Sequence, residues 1–359
     1  MKRLVALSLM GLLLLTGVVG ASAKPLELDL AKGIELAMEN SLELQLARLE
    51  IEQARIQYEQ ARAMQLVQPS PSVLYQAETN YAIVKENYIL AEQDLSYRVE
   101  EEYYNYLRTR NLREMLEEAL ALAEEQLSVT ESRRRAGAAT EADVIRAQAS
   151  VARTKADLAQ ITDGHDLARR KFLQTLGLDP QQEIVLDEGV VAERVSIDLD
   201  QAIEEALKNR VEVAQLDMMV VVAEKEVELA DNDYTPGQEL AMAKVRLEQA
   251  RLNKQQLIDN LPLQIRSLYG NLKNAERRLD VTAISVREAE ETMRTTSILY
   301  EVDMATHLDL MGAQTNLTQA RSDAIHAVFD YNIAKAELYK AMAWGLAERE
   351  GTNAQEVVH

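Results

Sequence analysis

The apolar positions of the chain follow the spacing of long coiled-coil helices. Steps of three and four residues connect the seam Leu74, Ala77, Tyr81, Val84, Tyr88, Ala91 and Leu95. This heptad pattern is typical of a helix that packs on partners along its length. Past a small phase shift it continues toward Arg135, which predicts one helix of roughly 60 residues, about 90 Å long at the α-helical rise. A second seam, from Leu240 to Met293, predicts a matching helix with a mild kink at Pro262.

Helix-breaking residues divide the rest of the chain into shorter helices that can pack on these two long helices. Gly137 ends the first long helix, and a medium helix follows from Glu141 to about Leu176. A turn near residues 302–305 separates the second long helix from a last helix that runs from Thr306 to Trp344. Because short turns join neighbours, each long helix and its follower are expected to form an antiparallel hairpin.

A helical stretch and a short connection precede each long helix. The first stretch runs from Leu28 to about Gln65, with a candidate break and new cap at Asn40 and Ser41, and the second from Leu199 to Ala230. The connections are about nine residues each, around Pro69 and around Pro236.

The whole order of elements occurs twice, and the second copy begins about 165 to 169 residues after the first. Such a repeat indicates an internal duplication. Asp29-Leu30 returns as Asp198-Leu199, and the segment DVIRAQ at residues 143–148 returns as DLMGAQ at 309–314. The sequence therefore predicts an all-α fold of long antiparallel coiled-coil hairpins in two tandem repeats. We place the repeats at residues 24–180 and 197–345, an irregular or partly extended insert at 181–196, and a loose tail at 346–359.

Composition and charge narrow the possible location and binding partners of the protein. A basic start, an apolar run to Val19 and the small residues at 21–23 predict a signal peptide over residues 1–23. The alternative is an N-terminal membrane anchor, for which the run is short. With no cysteine, the fold holds without disulfides, and a net charge of −20 argues against nucleic-acid binding.

Nothing in the sequence predicts an enzyme, a cofactor or a metal site. None of the four histidines stands in a metal-binding spacing, and no phosphate-binding glycine loop or nucleophile elbow occurs. The paired acids of the long helices are expected on solvated faces. We therefore look for function in the architecture.

The two hairpin turns carry a recurring motif. The first reads SRRRAGAATEADV at residues 132–144 followed by Ala147-Gln148, and the second reads SILYEVDMATHLDL at residues 297–310 followed by Ala313-Gln314. Both turns are similar to the hairpin tips of the TolC family of outer-membrane efflux ducts. That family is also an internal duplication with a signal peptide and an insert between the repeats. The resemblance covers essentially the whole mature chain, in order.

The resemblance implies an α-barrel trunk built by a homotrimer, a location in the periplasm and cell outer membrane, and passive transport. In the family, the hairpin tips dock to a periplasmic adaptor protein of an inner-membrane pump. The corresponding tip residues are, in the first tip, Arg135, Gly137 and Thr140 and, in the second, Tyr300, Asp303 and Thr306. Asp309 and Asp143 would face the narrow entrance, where threefold symmetry turns one carboxylate into a cation-selective ring.

Two readings of the entrance carboxylates stay open. An acid three residues after Thr140 or Thr306 also fits an N-terminal cap, and the two roles can coexist. The second tip departs from the family pattern, with Asp303 for the usual glycine, Ala305 for a frequent basic residue and Gly312 for a second carboxylate. The gating network of the family is therefore incomplete in this chain.

The connections depart further. Family members insert membrane-spanning β-strands there, and such a hairpin needs more than about 20 residues. The short connections therefore predict that the transmembrane β-barrel strands are missing or vestigial, which leaves open how the upper end meets the membrane. The alternative function is an exported, non-transporting coiled-coil scaffold or chaperone. Oligomeric state discriminates the two: a trimer around a channel favours the duct, and a closed single-chain bundle favours the scaffold.

Overall fold

The computed structural model describes residues 26–186 and 191–344. The predicted signal peptide and tail lie outside these ranges. The first repeat contains strand β1 Leu26–Leu28 and helices α1 Leu30–Asn40, α2 Leu42–Met64, α3 Pro71–Arg135 and α4 Glu141–Thr175. The insert contains strand β2 Ile184–Leu186, and the second repeat contains helices α5 Leu199–Asn209, α6 Val211–Ala230, α7 Gly237–Glu301 and α8 His307–Ala341. The predicted all-α fold of two tandem hairpin repeats is confirmed.

The two long helices, α3 and α7, contain 65 residues each. At 1.5 Å per residue each is about 98 Å long. Helix α3 begins at Pro71, where proline is tolerated because the first helical position needs no backbone N–H. Helix α7 continues without interruption through Pro262.

The break predicted at Asn40 is present. Ser41 has an extended backbone, and its side chain accepts a hydrogen bond from the Leu44 amide at 3.2 Å. The single helix predicted from Leu199 to Ala230 was wrong, because Arg210 interrupts it in the same way with φ −69° and ψ 131°. Arg210 makes no side-chain cap, so the break lacks the usual sequence signal. Its position follows from packing, since Ala202 and Ala206 of α5 are fully buried in the core of their repeat.

The chain start and the insert between the repeats form a two-stranded parallel sheet. Leu26 pairs with Ile184 and Leu28 with Leu186. The helix predicted to begin at Leu28 therefore begins two residues later, where the Asp29 side chain accepts a hydrogen bond from the Lys32 amide at 2.7 Å. The sheet ties the start of the first repeat to the insert that follows it.

The core lies at the middle of the long helices α3 and α7, where the short helices α1 and α5 pack. Each repeat has its own cluster there, one around Phe172 and one around Leu338. Phe172 is fully buried, with its ring centroid 5.9 Å from that of Tyr103 and 6.2 Å from that of Tyr106. We call this level the waist.

On both sides of the waist the helices lie side by side in one layer, which we call the stave layer. Toward the connections the order is α2, α3, α6, α7, and toward the hairpin turns it is α4, α3, α8, α7. Helix α7 therefore forms one edge of the layer throughout, and α2 and then α4 form the other. The connections, residues 65–70 and 231–236, contain turns and no strand. Within residues 26–186 and 191–344, no helix combines the length and the apolar character that a membrane span requires.

Candidate functional site: hairpin tips and layer edges

The two hairpin turns have matching backbone geometry. Gly137 in the first and Asp303 in the second both adopt left-handed conformations, with φ 78° and φ 58°. Glycine enters this region without steric cost, and aspartate enters it more readily than most residues. Both turns then end at a threonine that caps the next helix.

The capping function expected for the two candidate entrance acids is present in each tip. The Thr140 amide donates to Asp143 Oδ2 at 2.9 Å, and the Asp143 amide donates to Thr140 Oγ1 at 3.2 Å. Thr306 and Asp309 form the same pair of hydrogen bonds with the same distances. These hydrogen bonds hold the pKa of each carboxyl below its ordinary value. Both acids are therefore ionised at neutral pH.

The two acids differ in their surroundings. Asp143 Oδ1 accepts a hydrogen bond from Arg146 at 3.1 Å, so its charge is partly neutralised. Asp309 is exposed and has no ion pair with any residue of the described ranges. Of the two, Asp309 is the better placed to present charge to solvent.

An arginine of the first tip binds the second tip. The Arg133 guanidinium forms an ion pair with Asp303 and lies 4.6 Å from the ring centroid of Tyr300. An exposed ion pair contributes at most about 1 kcal/mol, and a cation–π contact at such a site a similar amount. The left-handed aspartate therefore has a role that glycine cannot supply, because its carboxylate holds the two tips together.

His307 fills the space under this contact. It is buried, and its ring centroid lies 6.0 Å from that of Tyr300. Neither of its ring nitrogens has a hydrogen-bond partner among the described residues. Burial lowers the pKa of His307, the nearby Asp143 carboxylate opposes that shift, and Arg146 reinforces it. His307 is therefore neutral when the tips are packed.

This contact predicts a pH-dependent opening of the tips. His307 has a depressed pKa when packed and the ordinary value near 6.5 when exposed. The packed arrangement is thus fully favoured above pH 6.5 and is weakened progressively as the pH falls below it. The charged groups around the ring are Asp143 and Arg146 of α4, with Arg133 of α3 beyond Tyr300. Amide hydrogen exchange at residues 298–310, corrected for intrinsic rates, should accelerate between pH 6.5 and 5.

The His307→Leu variant supplies the control for this prediction. Leucine keeps the apolar packing and removes the titration, so the pH dependence of exchange at the tips should disappear. The capping carboxyls titrate only below their ordinary value near 3.8, outside this range. Equal pH dependence in the variant and the wild type would contradict the role of His307.

The six tip residues predicted from the sequence do not all meet. Tyr300 and Asp303 belong to the cross-tip contact, while Gly137, Thr140 and Thr306 shape their own turns. Among the residues that the structure describes, the Arg135 side chain bonds to Ser132 Oγ of its own helix, at 3.0 Å, and to no residue of the other tip. Arg133 and His307 were missed.

The edges of the stave layer expose apolar stripes. On α2 the stripe recurs at steps of four, three and seven residues, and on α7 at steps of three, seven and eleven, so each lies on one helix face. The α2 stripe contains Leu42, Leu46, Leu49 and Ile56, and the α7 stripe contains Met242, Val245, Leu252 and Leu263. Between the waist and the hairpin turns, Ile145 and Leu167 of α4 and Val281 and Ile284 of α7 are also exposed.

Cross-layer contacts show that the two stripes have the same height. Arg48 of α2 donates to the Tyr88 hydroxyl of α3 at 3.0 Å. One residue away, Asn87 accepts from Gln215 of α6 at 2.6 Å. Two residues further along α6, Asp217 forms an ion pair with Lys254 of α7. Leu49 and Leu252 therefore lie at the same level on opposite edges.

Comparison with known proteins agrees with this architecture. Residues 71–178, which contain α3 and α4, match the sequence model of the outer membrane efflux protein family. No curated protein sequence matches the chain. The resemblance to the TolC family inferred from the sequence is confirmed by this match together with the fold.

Solved outer-membrane channels share the fold. The outer membrane protein VceC of Vibrio cholerae is 17% identical, with a TM-score of 0.72 over 88% of this chain and 96% of that one. The CmeC outer membrane channel of Campylobacter jejuni is 14% identical, with a TM-score of 0.76 over 91% and 88%. The open state of the MtrE outer membrane channel of Neisseria gonorrhoeae is 17% identical, with a TM-score of 0.73 over 89% and 90%. At these identities the likeness establishes the fold.

Proposed function

We propose that this chain, with its match to the outer membrane efflux protein family and its channel fold, is one of three identical subunits of an exported duct. The duct would form the passive periplasmic conduit of a tripartite efflux or secretion system. A pump in the inner membrane would supply the energy, and the duct would supply a water-filled path.

The observation that carries this proposal is the open stave layer. Its four helices leave apolar stripes unpaired at both edges, and exposed apolar stripes of this extent mark interaction surfaces. The α2 stripe of one subunit can pack on the α7 stripe of the next, because both stripes are apolar and lie at the same height on opposite edges. Such a contact is head-to-tail, and repeated copies close into a ring of three when each copy is rotated by a third of a turn from the last.

Cysteine cross-linking tests the closure directly. The chain contains no cysteine, so Leu49→Cys/Leu252→Cys would carry the only thiols. Oxidation should give covalent species of two and three chains and no larger ones. Leu42→Cys/Val245→Cys, which pairs opposite ends of the stripes, is the control and should give little product. Absence of cross-linking in the matched pair, with helicity intact, would favour the single-chain scaffold.

The hairpin tips are the proposed docking site for a periplasmic adaptor. The second tip exposes Val302, Met304 and Leu308, while the first is lined by the small residues 136–139. Apolar side chains beside small ones suit the insertion of another helical hairpin. Arg135, Gly137 and Thr140 would act on one side of this surface, and Tyr300, Asp303 and Thr306 on the other.

Asp309 is the proposed constriction residue. In a closed trimer three copies would approach the axis, and a ring of carboxylates attracts cations. Asp309→Asn keeps an oxygen for the cap and removes the charge, so Mn²⁺ binding to the assembled protein should weaken roughly tenfold by loss of the Coulomb attraction. Electron paramagnetic resonance of free Mn²⁺ measures this affinity.

The matched control for the constriction is Glu301→Gln, which removes an exposed acid from the same tip. It should leave Mn²⁺ binding unchanged. Asp143→Asn should have a smaller effect than Asp309→Asn, because Arg146 already pairs with that carboxylate. An unchanged affinity in Asp309→Asn would remove this residue from the entrance.

A further inference from the structure

The end of the molecule opposite the hairpin tips exposes the most solvent-accessible large apolar side chains of the described residues. Tyr234 is 96% exposed, Leu66 90% and Val67 82%. All three belong to the connections 65–70 and 231–236, which we call the end loops. From there α3 and α7 run to the tips, so the end loops lie about 98 Å from the docking surface proposed above.

The two end loops lie at the same end of the stave layer, and the helix ends beside them are in contact. Gln76 at the start of α3 donates to Glu226 near the end of α6 at 3.4 Å. Between them is a cleft of about 550 Å³, lined on the α3 side by Ser72 and on the α7 side by Thr235 and Met242. The exposed apolar residues of both loops therefore lie at the same end of the molecule.

Several backbone amides of each end loop have hydrogen-bond partners within the loop or the helix turn beside it. In the first, the amides of Leu66 and Val67 donate to carbonyls of the preceding turn, and the Gln65 side chain bonds to both the amide and the carbonyl of Ser70. In the second, Asn232 Oδ1 accepts from the amides of Tyr234 and Thr235. Amides that are paired in this way need no water, which lowers the cost of bringing the loops to the headgroup region of a lipid surface.

The charge distribution of the end loops favours contact with a surface that carries no net charge. Residues 63–77 contain no charged side chain, in a chain of which 27% is charged. The second loop adds the acids Asp231 and Asp233 and no cation. A surface of this kind has nothing to attract anionic headgroups, while tyrosine with leucine and valine suits the boundary between headgroups and acyl chains.

We propose that the end loops insert shallowly into a zwitterionic lipid bilayer, with Leu66, Val67 and Tyr234 as the inserted side chains. The side chains project almost fully into solvent from the turns, so a deformable lipid surface can close around them. The two acids beside Tyr234 limit the depth to the headgroup region. The proposal relies on the duct model only for the number of end loops that act together, since a single chain presents the same surface.

Flotation with phosphatidylcholine vesicles tests this contact. The exported protein is used, and its N-terminus is determined so that every variant carries the same one. Wild type should float with the vesicles, and Leu66→Ser/Val67→Ser should lower the bound fraction at least about tenfold, because the lost apolar area drives insertion. Binding should be insensitive to salt and should weaken when anionic lipid is added.

Three controls make the outcome decisive. Met304→Ser removes a side chain that is 76% exposed at the opposite end, and it should float like wild type. Tyr234→Trp should gain fluorescence that brominated phosphatidylcholine quenches, above the background of the native Trp344. Light scattering without vesicles should give the same number of chains for all variants, whether or not that number is three.

Three results would overturn the proposal. Wild type that stays with the unbound fraction would remove the lipid contact. Equal loss of flotation in Met304→Ser would show that binding is not located at the end loops. A halved mass in Leu66→Ser/Val67→Ser would show instead that these loops join two copies end to end.

Discussion

A single glutamate in place of Leu49 is expected to separate the assembled protein into free chains. Leu49 is 66% exposed in the isolated chain and lies at the centre of the α2 stripe, level with Leu252 of α7, which is 60% exposed. In the proposed trimer this position repeats at all three interfaces. A carboxylate buried there without a partner costs several kcal/mol per copy. Mass measured by light scattering over a dilution series should fall from three chains to one.

The control for Leu49→Glu is Val221→Glu, which introduces the same side chain at a half-exposed apolar position of α6. Helix α6 lies between α3 and α7, so a carboxylate on its free face stays in water. This variant should keep the mass of the wild type. If Leu49→Glu assembles as well as Val221→Glu, then the α2 stripe is not an interface.

Phe172→Ala is expected to cause the largest loss of stability among single substitutions in the first repeat. The ring is fully buried at the waist between Tyr103 and Tyr106. Gly33 of α1 packs closely against it, since a methyl group there would lie 3.7 Å from Phe172 Cζ. The loss should be about 3–5 kcal/mol, from lost burial and the cavity left behind. Urea unfolding followed by circular dichroism, at one fixed chain concentration, measures this change.

The control for Phe172→Ala is Leu167→Ala on the same helix. Leu167 is exposed, so its truncation should change the unfolding free energy by no more than about 0.5 kcal/mol in a chain that does not assemble. Measuring both variants in the Leu49→Glu background removes any contribution of Leu167 to an interface. A loss below about 1 kcal/mol for Phe172→Ala would show that the waist is not a tightly packed core.

The long helices could be predicted from the sequence because their signal is spread over many heptads. The breaks at Gly137 and Asn40 were also predictable, since glycine and a serine cap act locally. The break at Arg210 was not, because no residue there favours it: the arm α5 turns so that Ala202 and Ala206 can enter the core. The pairing of Leu26 with Ile184 is similarly non-local, and three-residue strands carry no periodicity of their own.

The candidate site was predictable from the sequence only where its contacts are local. The capping pairs at Thr140 and Thr306 involve residues three positions apart, so the sequence contains both partners. The contact of Arg133 with Asp303 joins residues from different hairpins, and only the stave order places them together. His307 was missed because its importance comes from burial without a hydrogen-bond partner, which no spacing in the sequence reveals.

The mass and shape of the exported protein in solution test the central claim most directly. Light scattering coupled to small-angle X-ray scattering gives both quantities in one experiment. The account predicts three chains in a hollow particle about 100 Å long, a length set by the helical rise along α3 and α7. A monodisperse single chain whose scattering fits a solid bundle would contradict it, because the edge stripes would then have to pair within one molecule.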